Sequence, residues 1–145
     1  MATEIERKFL VKNDLWREHV ISSSVLRQAY LATRKNASIR VRIADEQAFL
    51  TIKSATVGIT RAEFEYEIPL EDAQAMLQLR QGGAVIEKTR YKVRCGEHVW
   101  DLDIFQGENA GLRVAEVELE SESEEFQLPE WAGAEVSHDP RYLNA

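Results

Sequence analysis

Charged residues at every second position, repeated in segment after segment, constrain this chain more than any other feature of it. In Thr3–Val11, Glu4, Glu6 and Lys8 alternate with Ile5, Arg7 and Phe9. Side chains alternate across a β-strand, so such a segment carries one charged face and one largely apolar face. A single strand of this kind describes an antiparallel sheet with its charged side in water, where a Glu–Lys pair contributes little. The same parity returns in most of the later strand segments. In Ser38–Ile43, Ile39, Val41 and Ile43 alternate with Arg40 and Arg42; in Arg61–Pro69, Phe64, Tyr66 and Ile68 alternate with Glu63, Glu65 and Glu67. Lys88, Arg90 and Lys92 stand in step within Val85–Arg94, Asp101 and Asp103 within Val99–Phe105, and Glu116, Glu118 and Glu120 within Leu112–Glu120.

The remaining segments complete a chain of about eight short strands at mostly hairpin spacing. Val25–Ala32 and Ala48–Ser54 read as strands, with turns at Arg34–Asn36, Asp45–Glu46 and Gly96–Glu97. Asn13 or Asp14 can cap a short helix over Leu15–Val20. Leu70–Gln81 is the strongest helix. Glu71 and Asp72 suit its start, Met76, Leu77 and Leu79 form its apolar side, and Gly82-Gly83 stops it. Ser121–Glu124 resembles a capping box ahead of a last segment through Arg141-Tyr142. No linker interrupts the 145 residues, which read as a single domain over 1–145. The class is α+β, mainly β.

The charges sort by strand. The third, fourth and sixth strands are basic (Arg40, Arg42, Lys53, Lys88, Arg90, Lys92); the first, fifth, seventh and eighth are mainly acidic. An ordinary solvated surface mixes its signs. Sorted charge predicts two zones facing each other across an enclosed space. Closing a sheet of this many strands removes its edges and gives such a space, with the apolar faces and helices packed outside. Unpaired charge turned inward is costly unless a ligand fills the cavity. Rows of Arg and Lys suit phosphate oxygens, and Glu and Asp suit Mg²⁺ or Mn²⁺. A metal-bound polyphosphate complements both zones.

Other chemistries are excluded or unsupported. No GxxxxGK[ST], GxGxxG or GxSxG motif is present. His19, His98 and His138 with one cysteine give no zinc spacing. The net charge of −7, from 18 basic and 25 acidic residues, argues against a nucleic-acid-coating surface. No run is long and apolar enough to span a bilayer, and a lone Cys95 excludes an internal disulfide and fits a reducing cytoplasm.

Glu4-Ile5-Glu6-Arg7-Lys8 resembles the ExExK signature of the CYTH proteins, or triphosphate tunnel metalloenzymes. The resemblance continues through Arg27-Gln28-Ala29-Tyr30-Leu31, Ile39-Arg40-Val41-Arg42, Leu50-Thr51-Ile52-Lys53-Ser54 and Arg61-Ala62-Glu63-Phe64-Glu65. It extends through Glu87-Lys88-Thr89-Arg90-Tyr91, Leu102-Asp103-Ile104-Phe105-Gln106-Gly107, Glu116-Val117-Glu118 and the tail segments Trp131–Val136 and Arg141–Asn144. This ordered set is similar to the short bacterial members. The resemblance implies an eight-stranded antiparallel closed barrel forming a triphosphate tunnel, with a few flanking helices and divalent-metal dependence.

It further implies that Glu4, Glu6, Glu116 and Glu118 hold the metal and that Lys8, Arg40, Arg42, Lys53, Lys88 and Arg90 bind phosphate oxygens. Lys8, Glu63 and Asp103 take catalytic places, the two acids as metal-shell or water-orienting groups. Lys92, Glu65, Glu67, Asp101 and Glu120 share the parity but are expected at the solvated rim. Arg7 is expected to pair outside, and Tyr30, Tyr66 and the tryptophans to pack. The implied reaction is Mg²⁺- or Mn²⁺-dependent hydrolysis of inorganic triphosphate to diphosphate and phosphate. Alternatives on the same tunnel are a class IV adenylyl cyclase, a nucleoside or thiamine triphosphatase, and a polyphosphate-binding module without turnover. The expected partner is the small triphosphate substrate, with no nucleic acid and no membrane; a homodimer is left open.

Overall fold

A computed structural model describes residues 2–143. The first strand of the sequence pattern, β1 (Ala2–Val11), joins both ends of a sheet made by β2 (Val20–Thr33), β3 (Ala37–Ala44), β4 (Gln47–Ser54), β5 (Thr60–Ile68), β6 (Ile86–Cys95), β7 (His98–Gln106) and β8 (Arg113–Glu118). The order runs β5-β4-β3-β2-β6-β7-β8-β1, and β1 pairs back onto β5 through Ala2↔Glu63 and Ile5↔Thr60. Every pairing is antiparallel. The result is the expected eight-stranded closed barrel. A ninth strand, β9 (Ala132–Glu135), takes the part of β1 beyond the β5 pairing, with Phe9↔Glu135 and Val11↔Ala132 in register. It covers an edge that would otherwise be open.

The apolar faces point outward, as the alternation predicts, and pack in two places. One cluster joins Phe9, Val11, Val93, Trp100, Leu102, Ala115 and Val117 of the barrel wall to Trp16 and Trp131 from the segments lying over it. The Trp100 and Trp131 rings meet edge-on at 5.4 Å. The other cluster sets Ala73 and Leu77 of α1 (Leu70–Leu77) on Ala29, Val41, Ile43 and Ala48.

Local expectations hold in part. Leu15–His19 is a short 3₁₀ turn, and Asn13 Oδ1 accepts from the Leu15 N–H while Asp14 caps nothing. α1 ends at Leu77, four residues before the expected Gln81. Its last bonds tighten to Ala75 and Met76 carbonyls, and the Gln81 N–H is drawn onto the Tyr30 carbonyl of β2. Leu79 therefore lies outside the helix and is exposed, not part of its apolar side. Ser121–Glu124 caps no helix. It is a turn in which Glu124 accepts from the Glu120 N–H and pairs with His98. β2 extends five residues earlier than Val25, carried by its pairing with β6 from Val20↔Val93 onward. Asn144 of the tail motif lies outside the described residues.

Candidate active site

Alternation and register put the charged faces of seven of the eight strands inside the barrel. β2 contributes Gln28 and Tyr30 there instead, its one charged residue, Arg27, pairing outside with Glu87. The inward faces line a polar cavity of about 140 Å³ bounded by Glu4, Glu6, Lys8, Arg40, Arg42, Lys53, Arg61, Glu63, Glu65, Arg90, Asp101, Glu116 and Glu118, with Tyr30 and Leu143. Below the charges, alternation turns Leu26, Phe105 and Val114 inward, and all three are buried. They fill the barrel at that end, with Lys88 Nζ 5.0 Å from the Phe105 ring centroid. A larger hollow of about 760 Å³ lies on the outside around His19, Ile21, Arg94 and Leu128. Among the described residues no comparable set of opposed charges converges on it.

The acids are arranged as two carboxyl pairs. Burial opposes ionisation of Glu4, yet a hydrogen bond from Glu63 and the charges of Lys53 and Arg61 outweigh it and hold its pKa at about 2. Glu63 is the proton-bearing partner. Its bond to Glu4, with burial and the Glu4 charge, raises it to about 7 against the pull of Lys53. The second pair lies diagonally across β1 and β8, where Lys8 faces Glu116 and Glu6 faces Glu118. Burial and the Glu116 charge push Glu6 well above the usual carboxylate range. Burial also opposes ionisation of Glu116, but Lys8, the proton offered by Glu6, and Arg90 and Lys88 hold it well below. Burial, with Glu4 and Asp101 nearby, raises Glu118.

Carboxyl groups crowded into proton-sharing pairs are a donor set that suits a hard divalent cation. Among the described residues no three His, Cys, Asp or Glu side chains already enclose one. Mg²⁺ commonly takes only one or two carboxylates and completes its shell with water and substrate phosphates. The pairs fit that coordination better than a closed protein cage.

Most cations have anionic partners. Lys53 Nζ lies 2.9 Å from Glu4 and 3.5 Å from Glu63, and Arg61 Nε donates to Glu4 at 3.1 Å. Arg90 forks onto Asp103 at 2.8 and 2.9 Å, and Lys88 Nζ stands 2.8 Å from the same carboxylate in a fully buried ion pair. Burial opposes ionisation of Asp103, but Lys88 and Arg90 win and lower it. Burial, with Arg90 and Arg42 nearby, lowers Lys88 to about 8 despite Asp103. Lys8 Nζ donates to the Tyr142 carbonyl at 2.7 Å.

Arg40 and Arg42 differ. Among the described residues neither has an acid within ion-pair distance, and Arg40 Nε is buried without any partner. Arg42 Nε donates only to Gln28 Oε1, at 2.8 Å. Burial, then the like charges of Arg40 and Arg90, bring its pKa down to about 9. A buried cation lacking an anion is expensive to keep.

The structure thus gathers Glu4, Glu6, Lys8, Arg40, Arg42, Lys53, Glu63, Arg90, Glu116 and Glu118 on one cavity. Lys88 and Asp103 belong to the same network one layer deeper, outside its lining. Arg7 pairs outside with Glu135. Glu67, Lys92 and Glu120 are exposed as expected of rim residues, whereas Glu65 and Asp101 do reach the lining. Arg61 was missed, although it shares the parity of Glu63, Glu65 and Glu67 and stands opposite Glu4. Tyr30, read as packing, also faces the cavity.

Comparison with known proteins places this geometry. The CYTH domain model matches residues 2–143. An inorganic triphosphatase of Acetivibrio thermocellus is 44% identical, covering 100% of this chain and 92% of that protein. One of Nitrosomonas europaea is 36% identical over 98% and 94%. A crystal structure of an inorganic triphosphatase superposes with a TM-score of 0.71 at 34% identity, covering 99% of this chain and 93% of the other. A Hippeastrum protein whose structure is reported to reveal a dominant triphosphatase activity shares the fold at 15% identity and a TM-score of 0.63, over 81% and 80%.

Proposed function

The chain belongs to the CYTH family, and on that premise we propose that it is an enzyme hydrolysing inorganic triphosphate to diphosphate and phosphate within a single unit over residues 1–145. The observation that carries this is the pair of guanidiniums, Arg40 buried and Arg42 half-buried, without an anion beside two carboxyl pairs. Linear phosphate is the ligand that satisfies the basic zone, and a divalent cation satisfies the acidic one. The triphosphatase reading is favoured over a cyclase or nucleotide hydrolase by the lining itself. Apart from Tyr30 and Leu143 it offers only charged groups and no shelf for a base.

Glu4, Glu6, Glu116 and Glu118 hold the cation, taken as Mg²⁺ or Mn²⁺. What a bound cation supplies here is neutralisation of phosphate charge and a more acidic water. Arg40 and Arg42 take phosphate oxygens outright, since nothing else holds them. Lys53 and Arg90 turn toward substrate from their carboxylates, and Lys8 has two N–H donors left beyond Tyr142. Lys88, fully buried outside the lining, acts through Asp103, whose carboxylate it holds while Asp103 fixes Arg90 toward the phosphates. Glu63 would give up the proton it shares with Glu4 when a cation binds, and its carboxylate would then take the proton of the attacking water as the water oxygen joins the terminal phosphorus and the bridging P–O bond breaks. Little else is required of the protein beyond alignment and charge.

Among the described residues no helix is long and apolar enough to cross a membrane. The single free Cys95 suits the reducing cytoplasm. The partner is the triphosphate itself, with no role for nucleic acid or membrane; a homodimer stays open. Phosphate release from tripolyphosphate, ATP and thiamine triphosphate, with Mg²⁺, with Mn²⁺ and with chelator, tests the assignment. Metal-dependent release fastest from tripolyphosphate is the expected result; preference for ATP with diphosphate as product would point to a cyclase.

A further inference from the structure

The strands flanking β3 set neutral polar side chains beside its two unpaired arginines. Gln28 on β2 stands opposite Arg42, and Thr51 on β4 opposite Arg40. Gln28 is fully buried. Its Oε1 accepts from Arg42 Nε at 2.8 Å, an orientation the chemistry enforces because guanidinium only donates. That leaves Nε2, buried and with no partner. A half-bonded amide in a barrel interior is worse for folding than an apolar side chain of the same size. Packing alone therefore does not account for glutamine at this place. Charge does. A carboxylate would hold the same Arg42 atom but cancel the positive charge the phosphate needs, whereas an amide fixes the atom and leaves the charge whole.

We propose that Gln28 is a positioning residue for phosphate binding: its carbonyl occupies Arg42 Nε and leaves the terminal Nη groups to the cavity. The role rests on the triphosphatase assignment. It makes Gln28 part of substrate recognition without touching the metal zone.

Steady-state phosphate release from tripolyphosphate with Mg²⁺, with melting curves, tests it on the full chain. Gln28→Met is expected to raise KM about tenfold with kcat within about threefold. Gln28→Glu is expected to raise the melting temperature by pairing with Arg42 and to raise KM further than Gln28→Met does. Stability up with binding down is the signature, since a merely structural glutamine would move both the same way. Should Gln28→Met not fold, Gln28→Glu carries the test by itself. An active parent whose Gln28→Glu variant keeps KM within twofold overturns the role of Gln28 alone. A parent inert toward tripolyphosphate overturns the triphosphatase assignment and this inference together.

Discussion

Replacing Arg42 with methionine should make the protein without ligand more stable and deaf to its substrate. Burial and the Arg40 and Arg90 charges lower the Arg42 pKa from 12.5 to about 9. At about 1.4 kcal/mol per pH unit, keeping Arg42 charged in the empty barrel costs on the order of 5 kcal/mol. Methionine retains the stem but leaves Gln28 Oε1 unmet, which gives back about 1–3 kcal/mol. The net gain is about 2 kcal/mol or more, and about 2–4 °C of melting temperature follows per kcal/mol for a chain near this size. For a base whose pKa is lowered by folding, the cost is full below pH 9 and fades as pH rises above it. The gain should accordingly be constant from pH 6 to 8 and shrink toward pH 10. A non-hydrolysable imido-bridged triphosphate with Mg²⁺ at a hundredfold excess over Kd should stabilise the parent by about 2.7 kcal/mol. The variant should show little of that shift. Scanning calorimetry with and without the analogue measures both. A variant that melts several degrees below the parent, or a parent unmoved by the analogue, would refute unpaired inward charge as the organising feature of the barrel.

Other outcomes follow from the same network. Glu6→Gln mimics the protonated acid of the Glu6–Glu116 pair, so it should leave the melting temperature intact while cutting kcat more than tenfold, above about 1.4 kcal/mol of barrier; a smaller loss removes Glu6 from the metal set. Glu63 near pH 7 and the raised Glu6 must give up protons when a cation arrives, so apparent Mg²⁺ affinity should climb as pH rises through 7. Calorimetric titration in two buffers of different ionisation heat should register that proton release, and identical heats would count against the pairs as ligands. Lys53→Ala and Arg90→Ala should weaken tripolyphosphate far more than monophosphate in competition assays; equal losses would indicate general attraction only. Leu77→Ala, at the α1–barrel contact, should cost about 2–5 kcal/mol in denaturant melts with KM unchanged at temperatures where it is folded.

The inward set was legible because period-two alternation survives into the barrel unchanged. Knowing that Glu4, Arg40 or Glu116 shares a parity with its neighbours is enough to place it, and Arg61 could have been placed the same way. Pairing across strands was less legible. That Lys88 and Arg90 both close on Asp103 depends on the β6–β7 register, which the Gly96–Glu97 turn sets only approximately. Contacts made by short or distant segments gave no signal. β9 is four residues without alternation, and the Tyr142 carbonyl reaches Lys8 across most of the chain. The early end of α1 is likewise tertiary, since Gln81 bonds to Thr33 and Tyr30 of β2 instead of continuing the helix. Gln28 looked ordinary because nothing in its neighbours distinguishes a half-bonded amide from a satisfied one.

The first strand has three partners, β5, β8 and β9, and two of them come from the last third of the chain. During synthesis β1 emerges first and must wait. At 5–20 residues per second, the 121 residues from Lys12 through Ala132 take roughly 6–24 s to make. Through that interval β1 has open hydrogen-bonding edges and no barrel to join. The alternating Glu4, Glu6 and Lys8 discourage it from pairing with other nascent chains, as charge does on exposed edge strands. The same three residues that serve the cavity after closure would then act as its gatekeepers before closure.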